Sequence, residues 1–171
     1  IRLVTGADNP VSTNQSLDTG FSNKEINFDM FYLNYHRDDR SWSLFAGKFK
    51  NKFFRPGKSE LIWDEDLTPE GILYSWRHSS FFINLSYLIL EERSVESDTN
   101  LHGMQVGYES EFESFKITFG VSYFDYIGLK GKAPLYDSAD SFGNTLSDGN
   151  YAYDFNLLEG FFELKFKNYP L

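Results

Sequence analysis

From Phe115 onward the chain changes character at every second residue. Phe115, Ile117, Phe119, Val121 and Tyr123 are large and apolar, whereas Lys116, Thr118, Gly120 and Ser122 between them are small, polar or charged. A repeat of two marks an extended strand with one apolar face, because successive side chains point to opposite sides of the backbone. The same period runs through 81–90, where Phe81, Ile83, Leu85, Tyr87 and Ile89 alternate with Phe82, Asn84, Ser86, Leu88 and Leu90. It returns in 103–109, in 161–167 and, more briefly, in 72–77. In 26–36 and 41–50 large apolar residues occupy both phases, so alternation assigns no faces there.

Eight strands follow, at about residues 1–5, 26–36, 41–50, 71–78, 80–91, 101–110, 114–125 and 156–168, and no helix is called for. The connections alternate in length. Segments 37–40, 78–80 and 110–113 are tight turns; 6–25, 51–70, 91–100 and 126–154 are long loops rich in Asp, Asn, Ser, Gly and Pro. Strands of about ten residues with short turns at one end and long loops at the other are the pattern of outer-membrane barrels. Greek-key sandwiches do not sort their connections so regularly. The expected fold is therefore all-β: an antiparallel, up-and-down transmembrane β-barrel with about eight strands in this chain. Residues 1–171 read as a single β-barrel domain. The chain opens on the strand-like Ile1-Arg2-Leu3-Val4-Thr5 and stops on the turn-like Tyr169-Pro170-Leu171, so we expect a portion of a larger barrel.

Composition supports this reading. Aromatic residues make up 19% of the chain, yet the mean hydropathy is only −0.43, so apolar and polar residues are finely interleaved. No stretch approaches the 18 or so apolar residues of a spanning helix, which leaves a closed barrel as the only spanning option. Tyr35, Trp42, Trp76 and Tyr108 lie beside short turns, and Tyr74, Tyr87, Tyr123, Tyr126, Tyr151 and Tyr153 lie nearer long loops, as two interfacial girdles would. The formal net charge of −9 comes entirely from the four long loops, because strands and turns hold equal numbers of each sign. Acidic loops suit the outer leaflet, where lipopolysaccharide and membrane lipid are the expected partners and divalent cations can bridge like charges. Nucleic acid is not an expected partner, since no basic stripe exists. With no cysteine there is no disulfide framework and no thiol chemistry.

Residues 45–54, Phe-Ala-Gly-Lys-Phe-Lys-Asn-Lys-Phe-Phe, run into Leu61-Ile62-Trp63-Asp64-Glu65-Asp66-Leu67-Thr68-Pro69-Glu70-Gly71. Together they resemble the putative porin family of Gram-negative outer membranes, with its loop motif Trp-Asp-x-Asp-Leu-x-Pro-Glu-Gly. Arg2-Leu3-Val4-Thr5-Gly6, Asn9-Pro10-Val11-Ser12-Thr13-Asn14-Gln15 and Gly20-Phe21-Ser22 are similar to that family's first long loop. The resemblance covers about the first 75 residues. It implies a barrel larger than eight strands and no established substrate.

The residues that alternation turns inward are Asn84, Ser86, Gln105, Glu109, Lys116, Thr118, Ser122, Glu163 and Lys165, with Arg77, Lys48 and Asp29. A wet lumen tolerates them, whereas hydrocarbon penalises a midplane Lys or Arg. Thr118, on this reading, accepts an arginine that Phe119 would refuse. Both charge signs occur, so a passive, weakly selective channel for small hydrophilic solutes or ions follows. A non-conducting barrel that anchors or scaffolds an envelope assembly is the alternative, and a homo-oligomer or envelope complex is an expected state in either case. The loop carrying Arg55, Lys58, Asp64, Glu65, Asp66 and Glu70 is a candidate constriction that folds inward, with 126–154 as its rival. No cofactor is expected; the loop carboxylates could hold Ca²⁺ or Mg²⁺, although their spacing is not that of an EF-hand. His36, His78 and His102 are isolated in sequence and read as interfacial polar residues rather than metal ligands. No histidine falls in the two longest loops, so neither a metal site nor a Ser-His-Asp arrangement is indicated and no enzyme is expected.

Overall fold

The computed structural model describes residues 1–4, 26–135, 140–141 and 143–167. Its strands are β1 (Arg2–Val4), β2 (Asn27–His36), β3 (Trp42–Lys48), β4 (Glu70–His78), β5 (Phe81–Glu91), β6 (Thr99–Glu111), β7 (Phe115–Ile127), β8 (Leu146–Ser147), β9 (Asn150–Tyr151) and β10 (Phe155–Phe166). Eight form one antiparallel sheet in the order β1-β2-β3-β4-β5-β6-β7-β10, each paired with its neighbour in the chain apart from the small β8–β9 hairpin. That is the up-and-down topology expected of a barrel wall. β1 and β10 are its two margins and do not pair with each other.

Register sorts the side chains into rows. On the outer face, Trp76, Ile83, Val106 and Val121 lie side by side, as do Tyr74, Leu85, Met104, Tyr123 and Leu158. Many of the large apolar residues of this face are exposed, Val121 by 55% and Phe162 by 61%, so it needs an apolar environment. The inner face changes along the strands. Beginning at the long-loop end it carries Leu88, Leu101 and Tyr126, then Leu73, Ser86, Gly103, Phe124 and Leu157, and next the polar row Ser75-Asn84-Gln105-Ser122-Glu159. A row of Phe82, Gly107, Gly120 and Phe161 follows, and then the charged rows Glu109-Thr118-Glu163 and Glu111-Lys116-Lys165 beside the short turns.

Three departures from the expected elements have local causes. The segment expected as one open loop from 126 contains the β8–β9 hairpin, turned at Asp148-Gly149 with both residues at positive φ. Asp-Gly is the favoured pair for such a two-residue turn. A single 3-10 turn, Pro56–Lys58, interrupts the loop after β3, with proline at its start. In β2, exposure passes from Phe28 to Phe31, three residues apart instead of two, so the strand changes phase around the buried Asp29.

Candidate functional site

The segment between β3 and β4 does not stand away from the sheet. It turns back over the inner face and supplies Phe49, Phe53 and Trp63 to the main buried cluster, where they meet Phe45, Leu73, Leu88, Leu101 and Phe124 from the wall. Phe53 stacks on Trp63 with ring centroids 6.1 Å apart, and each meets the Phe124 ring edge-on, at 5.0 and 5.3 Å. Phe54, pointing the other way, lies 5.3 Å from Phe161. Gly103 makes the seat: a Cβ there would come within 2.6 Å of the Phe53 ring. Ring burial of this kind contributes roughly 1.5–3 kcal/mol per side chain.

Polar contacts fix the same segment through its main chain. Gln105 accepts a hydrogen bond from Phe54 N at 2.7 Å and donates from Nε2 to Phe54 O at 3.0 Å. It also donates to Ser122 Oγ at 3.0 Å and accepts from Asn84 Nδ2 at 3.1 Å, while Asn84 reaches Lys52 O at 3.3 Å. Farther along, Gly57 N donates to Glu163 Oε2 at 2.6 Å, tying the 3-10 turn to β10. Arg55 is held by the loop itself, donating to Trp63 O at 3.1 Å and lying 3.8 Å from Glu65. Burial lowers the Lys52 pKa, assisted by the like charge of Lys50, and its ammonium sits 4.8 Å over the Phe45 ring.

Beyond this seat the inner wall is charged. Glu109 lies between Lys116 at 3.0 Å and Arg77 at 3.8 Å, and Lys167 reaches Glu111 at 2.8 Å. Across β4, β5, β6, β7 and β10, then, one face is apolar and exposed, while the other carries polar and charged rows crossed by an inward-folded loop. That arrangement suits a membrane wall seen from lipid and from lumen. A family model described as "Putative porin" matches residues 1–156. The chain belongs to this porin family. No curated protein and no solved structure matches it. Membership points to a channel in the outer membrane rather than an enzyme.

The residues expected to line the porin lumen divide into groups. Arg77, Glu109, Lys116, Glu163 and Lys165 lie in the inner rows at the short-turn end. Asn84, Gln105, Thr118 and Ser122 are also on the inner face but at most 3% exposed, with the returning loop seated on Asn84 and Gln105. Ser86 is inward and half-buried, beside Gly103. Thr118 has no open space in front of it, so the reading that it accepts an arginine is corrected. Lys48 is likewise not in the inner rows: it pairs with Phe31 and Glu70, three residues past the inward Phe45, and so falls in the opposite phase. Asp29 is buried against Arg2 and Thr68.

In the candidate constriction loop the carboxylates turn to separate partners. Asp64 caps a turn by accepting from Asp66 N at 2.7 Å, Glu65 faces Arg55 and Lys50, and Glu70 sits in the β3–β4 ladder opposite Lys48. Lys58, at positive φ, is exposed at the loop tip. Sequence reasoning missed the aromatic seat. Its signal was the pairing of Phe53, Phe54 and Trp63 in a polar loop with inward glycines in neighbouring strands. The rims also differ from the expected girdles, because Tyr126 faces inward and Tyr151 is buried in the β8–β9 region. His36, His78 and His102 neighbour, respectively, Arg37 O, the Trp76 ring and the Tyr87 ring.

Proposed function

We propose that the complete protein is a passive diffusion channel for small hydrophilic solutes or ions in the bacterial outer membrane, narrowed by the segment between β3 and β4. The observation that carries this reading is that segment's attachment to the inner wall, from Lys52 near β5 to Gly57 on β10. Charges of both signs stand beside it, with Arg77, Lys116 and Lys165 on the wall against Glu109, Glu111 and Glu163. Such a lumen passes hydrated solutes with weak charge preference. The long loops lie outside, in contact with lipopolysaccharide, and the short turns face the periplasm. Single-channel recording of the complete protein in a planar bilayer tests the function: a stable open current is expected, and a folded but silent barrel overturns it.

A second reading has its own support. The loop buries the central polar row so well that Gln105 is inaccessible, as in a plugged barrel that anchors an envelope assembly. The same recording separates the two.

A further inference from the structure

Among the described residues, most cations facing the inner side are matched: Arg77 and Lys116 by Glu109, Arg55 by Glu65, and Lys167 by Glu111. Lys58 and Lys165 have no carboxylate partner among them. Both line one cavity of about 740 Å³ between the tip of the inward loop and β10, shared with Phe54, Arg55, Gly57, Glu163, Leu164 and Phe166. That volume lies in the range of small-molecule sites. The one carboxylate in it, Glu163, accepts from Gly57 N and keeps its charge, so the two lysines outnumber it.

Lys165 also stands directly opposite Lys116 in the β7–β10 ladder. Like charges at facing positions oppose strand pairing. Glu109 offsets the Lys116 charge and leaves that of Lys165 uncompensated. On the other side of the cavity Lys58 is exposed on the 3-10 turn, and the Phe54 ring supplies an apolar wall. Leu164 and Phe166 reach the cavity around the margin of β10.

We infer that this cavity is a binding subsite for a small organic carboxylate with an apolar body, its anionic head between Lys58 and Lys165 and its body against Phe54. The inference rests on the inward loop facing a lumen. Two ammonium groups set against the single Glu163 carboxylate leave one net positive charge and favour a monoanion, and a wall of carbon favours an aryl or alkyl acid over an inorganic anion. The subsite would hold such acids briefly during passage, so that they compete with the current carried by small ions.

Calorimetric titration of the complete, detergent-folded protein with sodium benzoate at low salt tests the site without requiring conduction. Benzyl alcohol is the uncharged comparator. Saturable binding of benzoate is expected, with benzyl alcohol at least about tenfold weaker, a difference of about 1.4 kcal/mol. Combining Lys58→Gln with Lys165→Gln is expected to weaken benzoate by a similar factor and to leave benzyl alcohol unchanged. Restoring charge through Lys165→Arg on the Lys58→Gln background should recover part of the loss. Absence of benzoate binding to the unmodified protein, or equal binding to the double variant, overturns the subsite. A silent bilayer recording alongside saturable, lysine-dependent binding would overturn the channel and leave the subsite standing.

Discussion

Gln105 shows how much can rest on one side chain. Its amide satisfies both main-chain groups of Phe54 and links Asn84 to Ser122 across three strands. A leucine of similar volume would orphan Phe54 N–H and C=O in a buried place, at roughly 1–3 kcal/mol for each unsatisfied group. Gln105→Leu is therefore expected to lower the unfolding midpoint in denaturant and to open the loop to trypsin at Lys52; unchanged protease resistance would contradict the seat. Gly120 is constrained differently. A Cβ there would stand 2.2 Å from Val106 O and 2.8 Å from the Gly107 Cα, so even Gly120→Ala must push β6 and β7 apart. We expect a cost of about 1–3 kcal/mol, the usual range for overpacking, read by the same denaturation assay. In the long loops, Lys132 bonds Glu96, and that bond holds the Glu96 carboxyl below its ordinary pKa of 4.5. A depressed carboxylate stabilises above its unfolded pKa and loses that contribution as pH falls through the folded one. Amide exchange around residues 93–98, compared with the intrinsic rate at each pH, is expected to lose protection only as pH drops below about 4.5; loss of protection at neutral pH would refute the link.

At the scale of the element, the two faces of β7 make the sharpest contrast. Phe119 is 45% exposed on the outer face and Thr118 is 1% exposed on the inner one. Phe119→Arg should cost roughly 2–4 kcal/mol in a bilayer near its midplane. Thr118→Arg should also be destabilising, because the added chain must displace whatever covers the threonine, whereas Arg77→Gln in the same lumen should fold normally. Refolding yields into lipid vesicles would distinguish these outcomes. The faces of β5, β6, β7 and β10 were legible from sequence because a period of two runs through 81–90, 103–109, 115–123 and 161–167. β2 and β3 were legible as strands but not in their faces. Their inward Tyr32 and Phe45 are as apolar as their outward Phe31 and Leu44, since both pack near Phe49 of the returning loop, at 6.4 and 5.9 Å. Alternation reports the contrast between two environments, and beneath a loop that brings its own hydrophobic cluster that contrast disappears. The same blindness hid the cover over Asn84, Gln105 and Ser122, whose polarity suits water and a loop backbone equally well. For Lys48, large apolar residues in both phases of 41–50 left the face open, and the buried Phe45 and Phe49 on the same phase turn it outward.

The whole wall combines an exposed apolar exterior with an interior crossed by the segment from Phe49 to Thr68. Replacing residues 51–68 of the complete protein by a short Gly-Ser linker is expected to raise single-channel conductance, provided the barrel still folds in detergent. An unchanged conductance in a folded barrel would remove the segment from the permeation path. Beside the aromatic seat, the polar contacts that tether the segment grip its main chain: Gln105 holds the peptide groups of Phe54, Asn84 the carbonyl of Lys52, and Glu163 the amide of Gly57. Backbone groups are the same in nearly every residue type, so these tethers do not depend on what the intervening side chains are. Selection could rewrite Arg55, Lys58 or Ser59, trading one charge or size for another, while the strap stayed moored at the same three points. A wall built this way separates two inheritances: an anchorage set by backbone groups and a surface of side chains that is free to be edited, the second able to drift without endangering the first.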